Sequence, residues 1–189
     1  MEDNPVAHKI LGIDPGTNVM GYAVLNTNLN KSDVEAIGVI QMKQMKDHYE
    51  KLKFIFEKVN ALLEQYHPDV LAIEAPFYGK NVQSMLKLGR AQGIVIAVCL
   101  NAGMEVYEYE PRKIKQAITG NGNAAKEQVA AMLCHMYPLK DAVEYLDETD
   151  ALAAAVCHHL QNRVVPGGGK KFSSWKSFIT NNEDRIVQK

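Results

Sequence analysis

Apolar and polar positions near the head of the chain fall into three short blocks, Lys9 to Asp14, Met20 to Asn26 and Val34 to Met42, each of which reads as a strand. Pro15-Gly16 and the run Asn26-Thr-Asn-Leu-Asn-Lys-Ser supply turns between them, so an antiparallel meander is predicted. The period then changes. From Tyr49 to Tyr66 the residues Leu52, Ile55, Val59, Leu62, Leu63 and Tyr66 recur at spacings of three and four, which predicts an amphipathic helix closed by His67-Pro68. Asp69 to Glu74 is a nearly unbroken apolar run after a helix, as expected of a buried parallel strand.

Asn81 can cap a long helix from Val82 to about Asn101, whose apolar residues surround most of its circumference, with Gly89, Ala91, Gly93 and Ala97 among them. Such a helix is either buried within the monomer or pairs two copies of the chain. Met104 to Glu108 predicts a fifth strand, and Pro111 to Ile118 and Ala124 to Met136 two short helices. An alanine-rich helix runs from Asp147 to Leu160. Beyond it the character changes. Pro166-Gly-Gly-Gly-Lys-Lys predicts a linker, so the chain divides into a domain over 1–163 and a flexible Gly-rich linker and tail over 164–189.

Composition narrows the class. Hydrophobic residues at 47% and charged residues at 23% fit an ordinary globular protein, and a net charge of −1 excludes a uniformly basic, polyanion-coating protein while permitting a local basic face. Met1-Glu-Asp-Asn-Pro-Val lacks the features of a signal peptide, and the apolar run from Ile94 to Leu100 is too short to span a bilayer, so a cytoplasmic protein with no membrane partner is expected. Cys99, Cys134 and Cys157 sit among apolar helical neighbours and are expected as buried, reduced thiols.

The candidate chemistry is acidic. Asp14 ends the first strand and Glu74 the fourth; if those strands are neighbours, the two carboxylates meet at the carboxyl edge of the sheet. Asp147 and Asp150 lie three apart at a helix start and point to one side of its first turn. Two of these acids also have a purely structural explanation: an Asx turn for Asp14 before Pro15-Gly16, and an N-cap for Asp147. Clustered, however, four carboxylates repel one another unless cations neutralise them, and hard oxygen donors select Mg²⁺ or Mn²⁺ over zinc. The chemistry that uses such a cage is two-metal phosphodiester cleavage. His158 and His159 lie too far along the helix from Asp150 to join it, and Gly12-Ile-Asp14-Pro-Gly16 lacks the dinucleotide-binding glycine pattern.

Four ordered motifs, Gly12-Ile-Asp-Pro-Gly-Thr with Gly21-Tyr-Ala-Val, Ile73-Glu-x-x-Phe77-x-x-Lys-Asn81, Leu86-Lys-Leu-Gly-x-Ala-x-Gly93 and Asp147-x-x-Asp150-Ala-Leu-Ala, resemble the RuvC family of bacterial Holliday-junction resolvases over about residues 9 to 162. The resemblance implies an α/β, RNase H-like fold with a mixed five-stranded sheet of order 3-2-1-4-5 flanked by helices. It also implies a homodimer that nicks opposed strands of four-way junction DNA during recombination and repair, with RuvA and RuvB as branch-migration partners. Asp14, Glu74, Asp147 and Asp150 match the family's catalytic metal-binding acids, holding Mg²⁺, two ions per site, with Mn²⁺ able to substitute. Between Lys80 and Lys126 seven basic residues stand against three acids. Lys80, Lys115 and Lys126, which match basic positions of the family, and Arg112 are the expected DNA contacts; the resemblance favours Phe77 as the residue that stacks on an opened base, with the role of the adjacent Tyr78 left open. The alternatives are a junction-binding scaffold without catalysis, or another RNase H-like nuclease.

Overall fold

Side chains alternate across the first strand, Leu11 and Ile13 feeding one apolar cluster and Ile10 the other, so the sheet that it centres is covered on both faces. The computed structural model describes residues 8–28, 31–76, 81–139 and 146–162. Its strands are β1 (His8–Asp14), β2 (Val19–Thr27), β3 (Ser32–Gln41), β4 (Val70–Glu74) and β5 (Glu105–Tyr109), in the order β3-β2-β1-β4-β5. β1, β2 and β3 form the antiparallel meander, and β4 lies parallel to both β1 and β5. The expected sheet is therefore present.

The helices are α1 (His48–Tyr66), α2 (Val82–Asn101), α3 (Pro111–Thr119), α4 (Lys126–Met136) and α5 (Leu146–Asn162). α1 and α2 pack on the face of Leu11 and Ile13; α3, α4 and α5 pack on the other. Local chemistry sets the ends. The Asp47 side chain accepts from the amides of Tyr49 and Glu50 to start α1, and Asn81 accepts from Ser84 to start α2. Pro111 occupies the first turn of α3, and Gly120 closes that helix at φ 74°.

Three expectations shift. α4 begins at Lys126 rather than Ala124, because the Asn121 carbonyl and side chain hold the amides of Ala124 and Asn123 in a turn. α5 begins at Leu146, so Asp147 lies inside the first turn and is not the N-cap. Cys99 and Cys157 are buried free thiols, but Cys134 is exposed, because α4 turns Val129 and Leu133 inward and leaves the next position outside. Among the described residues no helix is long and apolar enough to cross a membrane. The linker and tail, and the 163/164 boundary, fall outside the described residues, as do Phe77, Tyr78 and Lys80.

Candidate metal centre

β1 and β4 run side by side, with Ile13 paired to Ile73. The next residue on each strand is an acid, so Asp14 and Glu74 leave the sheet together at its carboxyl edge. β2 returns past the same point, with Gly21 as the cross-strand partner of Asp14. A Cβ at Gly21 would lie 1.9 Å from the Asp147 carbonyl oxygen, and one at Gly12 would lie 2.2 Å from that of Ala151. Two bare positions on the sheet, facing the buried alanines of α5, therefore let that helix approach far closer than ordinary side chains allow. That approach carries Asp147 and Asp150 to Asp14.

Ligand oxygens of Asp14, Asp147 and Asp150 all lie within 4.8 Å of one another. Glu74 stands outside this trio, yet its charge acts on Asp14 and that of Asp150 acts on it. Among the described residues no amide of the 15–18 turn bonds to Asp14, so the Asx explanation for that acid does not hold. Burial is the main reason that the Asp14 carboxyl is pushed up to about 8; repulsion from Glu74, Asp150 and Asp147 adds to it and Lys126 partly offsets it. Burial, then Asp150, pushes Glu74 up to about 7, against the pull of Lys126 and Lys115. The donor set is all carboxylate oxygen, partly buried and short of counter-charge, which fits hard divalent cations.

The basic residues divide. Lys126 donates to the Asp150 carboxylate. Burial alone would lower its pKa, but that hydrogen bond and the charges of Asp150, Asp14 and Glu74 hold it above the usual lysine range. Lys115 lies within electrostatic reach of Glu74. Arg112 is exposed on α3, where its stem runs under the 119–123 loop so closely that a Cβ at Gly122 would meet Arg112 Cγ at 2.6 Å. No described contact ties it to the acids. His158 is buried, its Nδ1 2.7 Å from the Tyr109 hydroxyl, and packs rather than ligates. Sequence reasoning overlooked Lys51, on α1, whose Nζ donates to the Thr17 carbonyl at 2.9 Å and Asn18 Oδ1 at 2.7 Å and so ties down the turn after Asp14. Nothing among its sequence neighbours distinguishes it from the other lysines of that helix.

The profile of the family described as Crossover junction endodeoxyribonuclease RuvC matches residues 10–158. A protein of that description from Bacteroides fragilis is 52% identical over 185 residues, covering 96% of this chain and 98% of the relative. Another, from Cytophaga hutchinsonii, is 50% identical over 177 residues, covering 94% and 87%. Among solved structures, Thermus thermophilus RuvC in complex with a Holliday junction substrate superposes with a TM-score of 0.76 at 32% identity, covering 82% of this chain and 95% of that one. The yeast mitochondrial Holliday junction resolvase Ydc2 shares the fold at a TM-score of 0.62 and 14% identity, covering 84% and 82%.

Proposed function

The chain belongs to the RuvC family of crossover junction endodeoxyribonucleases, and from that membership we propose that Asp14, Glu74, Asp147 and Asp150 together form the divalent-metal centre with which it cuts DNA. Its activity is the resolution of Holliday junctions in recombination and repair. The observation that carries the metal assignment is the meeting of three carboxylates from β1 and α5, sequence-distant by more than a hundred residues, within 4.8 Å. Mg²⁺, two ions per centre, is the proposed occupant, and Mn²⁺ can replace it. When bound, such a pair supplies the Lewis acidity for hydrolytic attack on a phosphodiester and for stabilising the leaving oxygen.

The chain's own groups prepare that event. Asp14 holds a proton below about pH 8 in the metal-free protein and must release it to become a ligand. Lys126 and Lys115 place ammonium groups beside Asp150 and Glu74, where the negative phosphodiester arrives. Lys80 and Arg112 extend the phosphate contacts, and Phe77 or Tyr78, following Glu74-Ala75-Pro76, stacks on an opened base. The setting is the cytoplasm, with the RuvA and RuvB branch-migration complex as partner. On a labelled four-way junction, nicks are expected with Mg²⁺, none with EDTA, and recovery with Mn²⁺. Binding without nicking under every metal condition would instead make the protein a scaffold.

Opposed nicks need two centres, and α2 supplies a seam for a second copy. Val82 and Leu86 are 67% and 52% exposed, Leu100 is 56% exposed, and nothing lies within 4 Å of a Cβ at Gly89 or Gly93. The spacing 82, 86, 89, 93 is that of one helix face packing on another. Leu86→Glu places a charge in that seam. The expected result is a halving of the mass seen by light scattering and loss of paired nicking, while the melting temperature changes by only a few degrees. An unchanged mass would move the dimer contact elsewhere.

A further inference from the structure

Four carboxylates at the metal centre repel a phosphodiester chain unless cations flank it. On the face of α3, α4 and α5, Lys126 and Lys115 provide that charge. The opposite face has cations of its own. α1 follows β3, whose last residue Gln41 pairs with Val19 beside the 15–18 turn, and α2 follows Glu74 through the 75–81 connection. Both helices therefore begin at the edge of the sheet that bears the acids.

His48 and Lys51 stand one turn apart on α1, and Lys87 and Arg90 one turn apart on α2. Lys51 reaches the 15–18 turn itself, but both of its acceptors are neutral, so among the described residues no carboxylate pairs with it and one of its three N–H donors has no acceptor. Lys87 and Arg90 are exposed, and neither has an ion-pair partner among the described residues. The two helices bring these charges together. Burial lowers the pKa of His48 first, and Arg90, Lys87 and Lys51 lower it further, against an opposing pull from Asp47. That Asp47 carboxylate is already engaged by the amides of Tyr49 and Glu50.

We propose that Lys51, Lys87 and Arg90 form a second phosphate-binding shoulder, on the α1–α2 side of the metal centre, which seats the backbone of a junction arm as it passes from the acids over the 15–18 turn. This rests on the junction-resolving activity and adds a site to it. The cations are spread along two helices rather than gathered into a pocket, which suits an extended polyanion and not a small free anion. Arg90 offers a planar fork to a phosphate, whereas Lys51 and Lys87 act as point charges.

The test is the salt dependence of binding to a labelled four-way junction, in Ca²⁺ so that bound DNA stays intact. Loss of two phosphate contacts in the double variant Lys87→Gln and Arg90→Gln reduces the slope of log K against log salt by about 1.8, and weakens binding at least several-fold at 0.1 M salt. Arg90→Lys keeps the parental slope within about half a unit, because the charge remains. A double variant with the parental slope and affinity overturns the shoulder. A parent protein that prefers the junction no more than a duplex of equal length overturns the junction reading instead, so the two failures are separable. Glutamine suits an exposed helix position, and coincident thermal melts of parent and variant establish that the comparison is between folded proteins.

Discussion

Asp14→Asn is expected to abolish junction nicking and, in EDTA at pH 8, to make the protein more stable than its parent. The first effect follows from removing an anionic oxygen that sits within 4.8 Å of those of Asp147 and Asp150. The second follows from linkage. Asp14 titrates at about 8 in the fold, chiefly through burial, against 3.8 for the unperturbed group. A carboxyl raised in this way binds its proton more tightly when folded, so the stability that it contributes is complete below about pH 4 and is lost as the pH rises toward 8.

At 1.36 kcal/mol per pKa unit, the loss grows from roughly 1 to 2 kcal/mol at pH 5 to about 5 kcal/mol at pH 8. Asparagine keeps the shape without the charge. The gap in melting temperature between variant and parent should therefore widen from a few degrees at pH 5 to about 10 °C or more at pH 8. Mg²⁺ should raise the parent's melting temperature at pH 8 and leave the variant nearly unmoved. Thermal scans with and without Mg²⁺ measure all of this. A variant that cuts like the parent, or that is less stable at pH 8 in EDTA, removes Asp14 from the centre.

Gly21→Ala disables cutting without touching an acid. Its new methyl carbon meets the carbonyl oxygen of Asp147 at 1.9 Å and the carbonyl carbon at 2.6 Å. Both are backbone atoms, so no side-chain rotation relieves the clash, and the start of α5 must move away from β2 by more than 1 Å. Forced overpacking of this kind costs about 1 to 3 kcal/mol. A displacement of about 1 Å at a reacting centre costs on the order of 100-fold in rate. The expected variant is folded by circular dichroism, melts several degrees lower, binds Mn²⁺ at least 10-fold more weakly by calorimetry, and cuts junctions at about a hundredth of the parental rate. Retained metal affinity with full activity would show that α5 can shift without consequence.

Local pattern was enough to find most of the architecture. The change from period-two to helical spacing after Met42, the Asn81 cap, Pro111 at a helix start and the apolar run before Glu74 each report on neighbours a few residues away, and the elements formed where those signals stand. Asp14, Glu74, Asp147 and Asp150 were visible for the same reason, as acids closing or opening apolar elements. The meeting of Asp14 with Asp147 and Asp150, however, is a long-range event. It depends on the bare backbone at Gly12 and Gly21, which lets α5 descend onto the sheet, while β4 lying beside β1 brings Glu74 to the same edge.

Single positions carry no trace of such contacts. The tether from Lys51 to the 15–18 turn, the ion pair of Lys126 with Asp150 and the outward turn of Cys134 depend on which helix faces which strand. Sequence alone determined the elements and the meander, because hydrophobic period and capping act within a turn or a pleat. Tertiary structure alone decided that Asp14 meets Asp147 and Asp150 in one place and that the Asp14 carboxyl is pushed far above its usual range, since burial and Coulomb repulsion act through space.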